Sequence, residues 1–415
     1  MNVARRHTVF LALVALTFVV GCPAPAPPRP PPRARITVGT SGNYPPLSVA
    51  RGDRYEGFVP SLVGAFATSR SIELTWTRFA WTTFAADAAA GKFELAADGI
   101  TVRPERSIAG RFTVPIARGG AVLLLRRPSW AAGITGDSPR ALATALDRRE
   151  LRIAVNRGAH LERVTRALFH AADIRPVDDN AVREAFARGD VDAAMTNTFE
   201  APKWAAGVPG VEPVGPLTID ITALWVRADR EDLAIALDDH LLAEEESGRL
   251  GALRAKEIGD GAGPPAATVV SALLAAIGER LAIMPFVAAA KQRAHLPVED
   301  LGQEAKVLDA ARAEVAKAAQ GRKTPEGAAI DAFFKAQITA AKVAQATAAP
   351  STEYALDRDL RPAIARITAK QARLVVRVPP GLDVRAVTDE ATRSLEGIDA
   401  RTAAALAEAI VALGR

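Results

Sequence analysis

Residues 273–308 read LLAAIGERLAIMPFVAAAKQRAHLPVEDLGQEAKVL, and this stretch predicts one long helix followed by the start of another. Its apolar side chains recur at steps of three and four residues, at Leu274, Ile277, Leu281, Met284 and Ala288. That spacing is the period of a helix with one apolar face. Ala-rich helical patterns continue to the C-terminus, so the last third of the chain is predicted to be all-helical.

Two cations border this apolar face. Arg280 and Lys291 are eleven residues apart, and at about 100° per residue that spacing returns to within roughly 20° of the same direction. Pro285 is expected to kink the helix and Pro297 to end it, because proline has no backbone N–H to donate. On periodicity alone, two solvated charges beside a bundle core remain the alternative interpretation.

The order of these residues is also that of a known family. Arg280, Lys291 eleven residues later, and then Leu-Pro-Val-Glu-Asp at 296–300 resemble the periplasmic, all-helical class of chorismate mutases. The resemblance covers about Ala267 to Arg415. It implies that Arg280 holds a substrate carboxylate and that Lys291 donates to the ether oxygen of the breaking bond.

The same resemblance implies further substrate contacts in the helical domain. Gln345 would be a second donor to the ether oxygen, Glu304 would contact a hydroxyl, and Asp300 belongs to the motif. Gln303 and Lys370 occupy positions where the family usually has Arg. Because Lys lacks the bidentate geometry of Arg, a degenerate mutase domain is an alternative.

Length and composition limit the possible classes. The chain has 415 residues and a mass of 43.7 kDa, which predicts two or three domains. A hydrophobic fraction of 49% with 24% charged residues is that of a globular protein. The net charge of +5 is spread without a basic block, which argues against nucleic-acid binding and is compatible with a small anionic substrate.

The N-terminus has the pattern of an export signal. Arg5 and Arg6 precede an apolar run that is too short for a membrane span, which is typical of a signal peptide at residues 1–21. The run ends in VVGC, which resembles a bacterial lipobox, so Cys22, the chain's only cysteine, is expected to be acylated. A chance cysteine after an ordinary signal is the alternative. Residues 22–35 are Pro-rich and predict a stiff spacer between a membrane and a periplasmic domain.

Short strands and helices alternate from residue 36 to residue 258, which is the pattern of an α/β region with a mostly parallel sheet. A buried strand is predicted at residues 35–39, and a second α/β run starts at Leu151. The sequence GDGAGPP marks the end of this region as a linker. The predicted bounds are lobe 1 at about 36–125 and 226–258, lobe 2 at about 126–225, the linker at 259–266 and the helical domain at 267–415.

Several motifs of this region resemble the periplasmic solute-binding proteins that hold polar amino acids. They are VGTSGNYPP, YEGF, a Trp at a helix start, and DGITVRPER followed by FTVP. The resemblance runs from about Ile36 to Arg254 and implies the two-lobed α/β periplasmic-binding-protein fold (type II), with a ligand cleft between the lobes. The residues that it places in the cleft are Asn43, Trp81, Thr101, Arg106 and Asn156, with Tyr44 and Phe58 as further aromatic walls. Thr101 and Arg106 would grip a carboxylate, which a guanidinium meets bidentately.

The second lobe departs from the amino-acid receptors of that class. In the family, an Asp pairs with the ammonium of the ligand, and here the matching residue is Asn197. This departure counts against a zwitterionic ligand.

A carboxylate follows three residues later, at Glu200 in the run MTNTFEA. This run, together with VNRG at 155–158 and FTVPIARGG at 112–120, resembles periplasmic cyclohexadienyl dehydratases. In that family the matching Glu is the general acid, and Arg118 matches a basic position; a Lys expected next is Ala121 here. A solvated or capping carboxylate is the alternative for Glu200.

The two resemblances together predict one function. A mutase makes prephenate from chorismate, and a dehydratase converts prephenate to phenylpyruvate, water and carbon dioxide. We therefore expect a bifunctional, membrane-anchored periplasmic enzyme of phenylalanine biosynthesis. No spacing for a metal site or phosphate loop is present, so no cofactor is predicted. The rival is a lipid-anchored amino-acid-binding receptor with a helical appendage. Use of arogenate and formation of a homo-oligomer are left open.

Overall fold

The computed structural model describes residues 34–178, 181–206, 208–259, 263–297, 301–345, 353–395 and 397–415. The predicted signal peptide, Cys22 and nearly all of the predicted spacer lie outside the described residues. Asp300, the side chain of Gln303 and the centre of the predicted linker lie outside them as well. The chain from Ala34 onward forms one compact unit.

The α/β region contains the strands β1 (Arg35–Thr40), β2 (Asn43–Tyr44), β3 (Ser48–Arg51), β4 (Arg54–Glu56), β5 (Glu73–Arg78), β6 (Leu95–Thr101), β7 (Gly110–Phe112), β8 (Ala117–Gly119), β9 (Ala121–Arg126), β10 (Arg152–Asn156), β11 (Asp173–Val177), β12 (Ala193–Asn197), β13 (Val211–Val214) and β14 (Asp220–Arg227). Its helices are α1 (Phe58–Ser69), α2 (Phe84–Ala89), α3 (Pro104–Ala109), α4 (Pro139–Leu146), α5 (His160–Leu168), α6 (Ala181–Arg188), α7 (Ala201–Ala205), α8 (Glu231–Glu246) and α9 (Arg249–Glu257), with a 3-10 turn at Ser129–Ala131. The helical region contains α10 (Val269–Arg293), α11 (Leu301–Ala319), α12 (Gly327–Gln345), α13 (Arg361–Val375), α14 (Val384–Ser394) and α15 (Ala400–Leu413), with a π-helical turn at Leu356–Leu360.

Two separate sheets form the two predicted lobes. The first has the strand order β5-β1-β6-β14-β7, with β8 also paired to β14, and the second has the order β11-β10-β12-β9-β13. β1 is parallel to both of its neighbours, and β10 is parallel to both of its own. Each sheet also contains an antiparallel pair: β14 is antiparallel to β6 in the first sheet, and β9 is antiparallel to β12 in the second. The predicted two-lobed α/β architecture is therefore confirmed.

The chain crosses between the lobes earlier than predicted. β9 already pairs with β12 of the second lobe, and β14 pairs with β6 of the first lobe from its start. The crossings therefore fall near residues 120 and 220 instead of 125 and 225. Both strands are apolar runs that would be buried in either sheet, so the sequence pattern did not distinguish the two lobes.

α10 is the predicted long helix of the last third of the chain. It starts where the Thr268 hydroxyl accepts a hydrogen bond from the Ser271 N–H, and it is continuous through Pro285. By length and composition it could cross a membrane, but 72% of its most apolar window is buried inside the protein. It is thus a core helix of the bundle. The helix ends at Arg293, before the predicted stop at Pro297, and His295 beyond it has a φ of 53°.

The helical domain is docked on lobe 1 over a continuous apolar interface. One hydrophobic core includes Val38 of β1, Leu237 of α8 and Ile277 of α10. The end of the predicted linker belongs to this interface, because Ala266 and Ala267 are buried. Their N–H groups donate to the Glu245 carboxylate at 3.3 and 2.9 Å. The predicted linker is therefore packed against the protein at its C-terminal end.

α13 supplies a polar contact across the same interface. The Arg366 guanidinium donates to the backbone carbonyls of Ile108 at 2.8 Å, Gly110 at 3.2 Å and Ser107 at 3.3 Å. These carbonyls lie at the end of α3, where a helix leaves its acceptors without partners of its own. A side chain of the helical domain thus caps the short helix that carries Arg106.

Lys370 of α13 also points to lobe 1. Its ammonium forms a buried ion pair with Glu279 of α10 and donates to the Phe112 carbonyl at 3.2 Å. Thr368, two residues earlier, faces the opposite way and accepts from Arg280. The prediction that Lys370 contacts a substrate beside Arg280 is wrong, because residues two apart on a helix point in different directions.

Lys370→Ala should destabilise the protein strongly, because it leaves the buried Glu279 carboxylate without its cation. Breaking such a pair costs roughly 3–5 kcal/mol, which urea unfolding would measure. Lys335→Ala, which truncates an exposed lysine on α12, is the matched control and should cost little. The double variant Lys370→Met/Glu279→Leu should recover most of the loss. Equal unfolding curves for Lys370→Ala and Lys335→Ala would show that the pair does not stabilise the fold.

Candidate functional site

A cleft lies between the two lobes, and both lobes contribute polar side chains to it. Lobe 1 provides Tyr44, Trp81, Thr101 and Arg106, while lobe 2 provides a second polar group. The members of that group are Asn156, His160, Asn197 and Glu200. Seven of the predicted cleft residues, all of these except His160, are thereby brought together. Asn43 lies in an adjoining pocket with Trp81 and Asn156.

The cleft is closed by contacts between the lobes. The Asn197 amide donates to the Tyr44 hydroxyl at 2.9 Å, and the Arg163 guanidinium of α5 donates to the Glu105 carboxylate of α3 at 2.6 Å. Each contact joins one lobe to the other. The structure therefore shows the state in which a ligand would be enclosed.

Glu200 is the buried carboxyl group of the cleft. β12 ends three residues before it, and the turn that follows makes Glu200 the residue that precedes α7. The Thr196 hydroxyl and the Asn197 amide both donate to its Oε2, at 2.8 and 2.9 Å. Burial raises the pKa of the Glu200 carboxyl to about 7, although these two hydrogen bonds lower it. The alternative interpretation, a solvated carboxylate, is thus excluded, and Glu200 can hold or release a proton near neutral pH.

Asn197 is held in one orientation. Its Oδ1 accepts from the backbone N–H groups of Phe199 and Glu200 at 2.9 and 3.2 Å. Its amide nitrogen must therefore face Glu200 and Tyr44. An Asp at this position could not donate to either group, so the replacement of the receptor's Asp by Asn serves the Glu200 carboxyl directly.

Arg106 is the cation of the cleft. Its guanidinium donates to the Thr101 carbonyl at 3.0 Å and lies over the rings of Trp81 and Phe84, at 5.5 and 5.2 Å from their centroids. Burial lowers the pKa of Arg106 to about 9, so it is charged at neutral pH. Within the described ranges it forms no ion pair with a carboxylate. It is placed to bind an anion.

Two residues that were not predicted from the sequence, His160 and Asp220, also face the cleft. Asp220 starts β14, and its Oδ1 lies 3.1 Å from Nε2 of His160, the first residue of α5. The Asp220 carboxylate and the His160 ring are close but do not form an aligned hydrogen bond, because neither ring nitrogen has one among the described residues. Asp220 was missed because only the crossing of β14 beside β8 brings it to the cleft. The cleft therefore does contain a carboxylate that could meet an ammonium group.

Two predicted residues are elsewhere. Arg118 forms an ion pair with Glu390 of α14 at 2.9 Å and donates to the Ser394 hydroxyl at 3.1 Å. The prediction that it contacts the ligand is wrong, because β8 directs this side chain to the helical domain. Phe58 is fully buried in the lobe 1 core and does not wall the cleft.

A second polar group lies inside the helical bundle. Arg280 is buried, which lowers its pKa to about 10, and it donates to the Thr368 hydroxyl at 3.2 Å. Gln371 donates to Gln337 at 2.9 Å, and the Gln345 amide lies 3.7 Å from the Met284 sulfur. Neither Gln337 nor Gln371 was predicted, since amides inside a helix give no sequence signal.

Several buried polar atoms of this group lack partners in the part of the chain that the structure describes. They are Nε of Arg280, Nε2 of Gln337, Oε1 of Gln345 and Oε1 of Gln371. A buried polar atom without a partner is costly. Four of them in one bundle leave donors and acceptors available to a polar ligand or to water. Lys291 lies in the last turn of α10, and Glu304 is ion-paired with Lys342 at 3.1 Å, so the roles predicted for these two stay predictions.

Comparisons with known proteins match both parts of the chain. The family model of bacterial extracellular solute-binding proteins, family 3, matches residues 36–260, and that of chorismate mutase type II matches residues 268–346. Arginine-binding protein 1 of an Escherichia coli ABC transporter is 22% identical over 225 residues, covering 53% of this chain and 86% of that protein. Cyclohexadienyl dehydratase of Pseudomonas aeruginosa is 26% identical over 168 residues, covering 40% of this chain and 60% of that enzyme.

A solved structure shows the same fold in the α/β region, and a second is similar to it. A putative binding component of an ABC transporter from Wolinella succinogenes, complexed with lysine, has a TM-score of 0.50 at 18% identity, over 55% of this chain and 97% of its own. An ancestral amino acid-binding protein, described as a precursor of cyclohexadienyl dehydratase, has a TM-score of 0.48 at 22% identity, over 54% of this chain and 96% of its own.

The proton on Glu200 predicts a pH effect on stability. The folded protein keeps this proton up to about pH 7, whereas an unfolded chain releases it near its ordinary value of 4.5. As the pH rises from 4.5 to 7, the wild type should therefore lose stability relative to Glu200→Gln, by up to roughly 3 kcal/mol. Asp98, whose pKa burial also raises to about 7, is present in both proteins and cancels.

Urea unfolding at a series of pH values measures this difference. Glu150→Gln removes an exposed carboxylate and is the matched control, which should follow the wild type. A difference between wild type and Glu200→Gln that does not change with pH would mean that Glu200 is ionised in the folded protein.

Proposed function

The chain belongs to the bacterial extracellular solute-binding proteins of family 3 and carries a chorismate mutase type II domain, and we propose that it is a bifunctional enzyme. The helical domain rearranges chorismate to prephenate, and the cleft converts prephenate to phenylpyruvate. The observation that carries the second activity is the buried Glu200 carboxyl, which holds a proton near neutral pH opposite the unpaired Arg106. A receptor that only binds needs no proton donor.

The dehydration needs an acid and an anion site. Prephenate carries two carboxylates, and Arg106 is placed to bind one of them. Glu200 donates its proton to the ring hydroxyl, which leaves as water. The bond to the ring carboxylate breaks, carbon dioxide departs, and its electron pair completes the aromatic ring. Glu200 then takes up a proton from solvent, so one proton is consumed per turnover.

The environment of Glu200 suits this role. Its pKa is lowered by the charge of Arg183 and not by that of Arg106, so the cation that binds the substrate does not remove the proton of the acid. A bound carboxylate adds a like charge, which favours the protonated form further. The Tyr44 hydroxyl also stays protonated, because burial and the charges of Glu200 and Asp220 raise its pKa well above the ordinary value.

The mutase step requires no acid or nucleophile. The site must hold chorismate in its reactive conformer and stabilise the charge that develops on the ether oxygen. Buried Arg280 would bind a carboxylate, and Lys291 with Gln345 would donate to the ether oxygen. Gln337 Nε2 and Gln371 Oε1, which lack partners among the described residues, would supply a donor and an acceptor for the substrate hydroxyl or second carboxylate.

A second candidate function for the cleft is amino-acid binding, and Asp220 favours it. A carboxylate in the cleft can pair with an ammonium group, as an arginine or lysine ligand would offer, and the same contact would admit arogenate. Glu200 distinguishes the two functions, because its buried proton has no role in binding an amino acid.

The two activities should separate by reciprocal substitutions. Glu200→Gln keeps the shape and a donor but cannot transfer a proton, so prephenate turnover should fall by on the order of a hundredfold or more. Conversion of chorismate to prephenate should be unchanged in this variant. Lys291→Ala should give the reverse result, since distant sites seldom couple.

Separate assays with chorismate and with prephenate measure both rates, and each variant controls for the folding of the other. Wild-type turnover of prephenate by Glu200→Gln would exclude Glu200 as the acid. Loss of both activities in Lys291→Ala, with the fold intact, would contradict the two-site assignment.

The relatives of the family imply a location outside the cytoplasm, and we propose that Cys22 carries a lipid anchor. The apolar run that ends in VVGC supports this proposal. Mass spectrometry of the membrane fraction should find acylated Cys22 as the N-terminal residue. Unmodified Cys22 in protein recovered from the soluble fraction would contradict it.

A further inference from the structure

A second cavity, of about 370 Å³, lies between the cleft and the helical domain. All three parts of the protein line it: Arg103 of lobe 1, Arg163 of lobe 2, and Ala282 of α10 among others. This volume is within the range of sites for small organic ligands. We call it the interdomain chamber.

The chamber and the cleft share one wall. Thr101, His160 and Asp220 line both cavities. His160 belongs to α5 of lobe 2, and Asp220 belongs to β14 of the lobe 1 sheet, and their side chains approach to 3.1 Å. The partition between the cavities therefore includes two residues from opposite lobes, and a separation of the lobes would open it.

The opposite wall of the chamber lies against the polar group inside the helical bundle. Pro285 of α10 and Ala344 of α12 line the chamber. Their chain neighbours Met284 and Gln345 contact each other at 3.7 Å in the bundle, where Gln345 has a buried oxygen without a described partner. Only the contact between α10 and α12 thus separates the chamber from this group.

Charged groups of both signs surround the chamber, and without His160 their formal charges sum to zero. Glu105 is shared by two guanidinium groups, that of Arg163 at 2.6 Å and that of Arg103 at 3.5 Å, which leaves one positive charge in excess. Glu279 on the opposite side is already paired with Lys370. Asp220 is the remaining acidic group at the chamber, and it faces His160.

We propose that the interdomain chamber is a transit site through which the dicarboxylate formed in the helical bundle reaches the cleft. The His160–Asp220 pair is the partition that the dicarboxylate passes. This proposal rests on the proposed function, because it needs both activities. It adds that the intermediate reaches the second site before it mixes with the free prephenate pool.

An isotope-competition experiment tests this. Wild-type protein receives ring-labelled chorismate together with a large excess of unlabelled prephenate, and the label in phenylpyruvate is compared with the label in the free prephenate pool. Transit through the chamber predicts phenylpyruvate that is enriched in label over that pool from the first turnovers. Free mixing predicts the same label in both, and that result would overturn the proposal.

Ala282→Trp should fill the chamber from α10. Its rates with chorismate alone and with prephenate alone should stay near those of the wild type, while the label in its phenylpyruvate should fall to that of the free pool. Ala310→Trp, at an exposed position of α11, is the matched control and should keep the enrichment. If Ala282→Trp lacks mutase activity, Ala275→Phe, which enters the same cavity two turns earlier, replaces it.

The outcomes separate this proposal from the proposed function. Enrichment that persists in a filled and active variant would exclude the chamber as the route. Two active sites with full mixing in the wild type would overturn the transit site alone. Absence of either activity in the wild type would instead contradict the bifunctional assignment itself.

Discussion

The cleft depends on one carboxyl group that is buried without a cation. Thr196 and Asn197 satisfy Glu200 with neutral donors, and neutral donors stabilise its charge less than a guanidinium would. Burial therefore decides its protonation, and the pKa rises to about 7. An Asp at position 197 would add a negative charge beside Glu200 and remove its donor. Asn197 removes the carboxylate that a receptor of this family uses to bind an ammonium group, and it thereby allows Glu200 to stay protonated.

The rest of the structure positions that environment. Lobe 2 meets lobe 1 at Tyr44 and Glu105, which holds the two walls of the cleft together. The helical domain contributes from outside, since Arg366 caps the helix on which Arg106 lies. This arrangement makes the second domain a structural support of the first. It also explains why Lys370 and Arg118 form ion pairs near the interface. Both residues were predicted to bind ligands because each domain was considered separately.

The sequence predicted the parts of the fold that depend on local pattern and on motifs. The long helix α10 and the α/β alternation followed from period and spacing, whereas the two lobes and the grouping of Trp81, Thr101, Arg106 and Glu200 followed from the family resemblances. Contacts between distant segments could not be predicted, because nothing local to β14 indicates that Asp220 reaches the cleft. The direction of the Lys370 side chain could not be predicted either, since a polar residue in an amphipathic helix can face either a substrate or another domain. The role of residue 197 became clear only when its amide orientation was known.

The most direct test of this account supplies purified protein with chorismate as the sole substrate and follows all products by chromatography over time. The account predicts that prephenate appears and phenylpyruvate accumulates without any other enzyme, with carbon dioxide released in equal amount. Chorismate that is left unchanged, or that stops at prephenate while the cleft binds a basic amino acid in calorimetry, would contradict it.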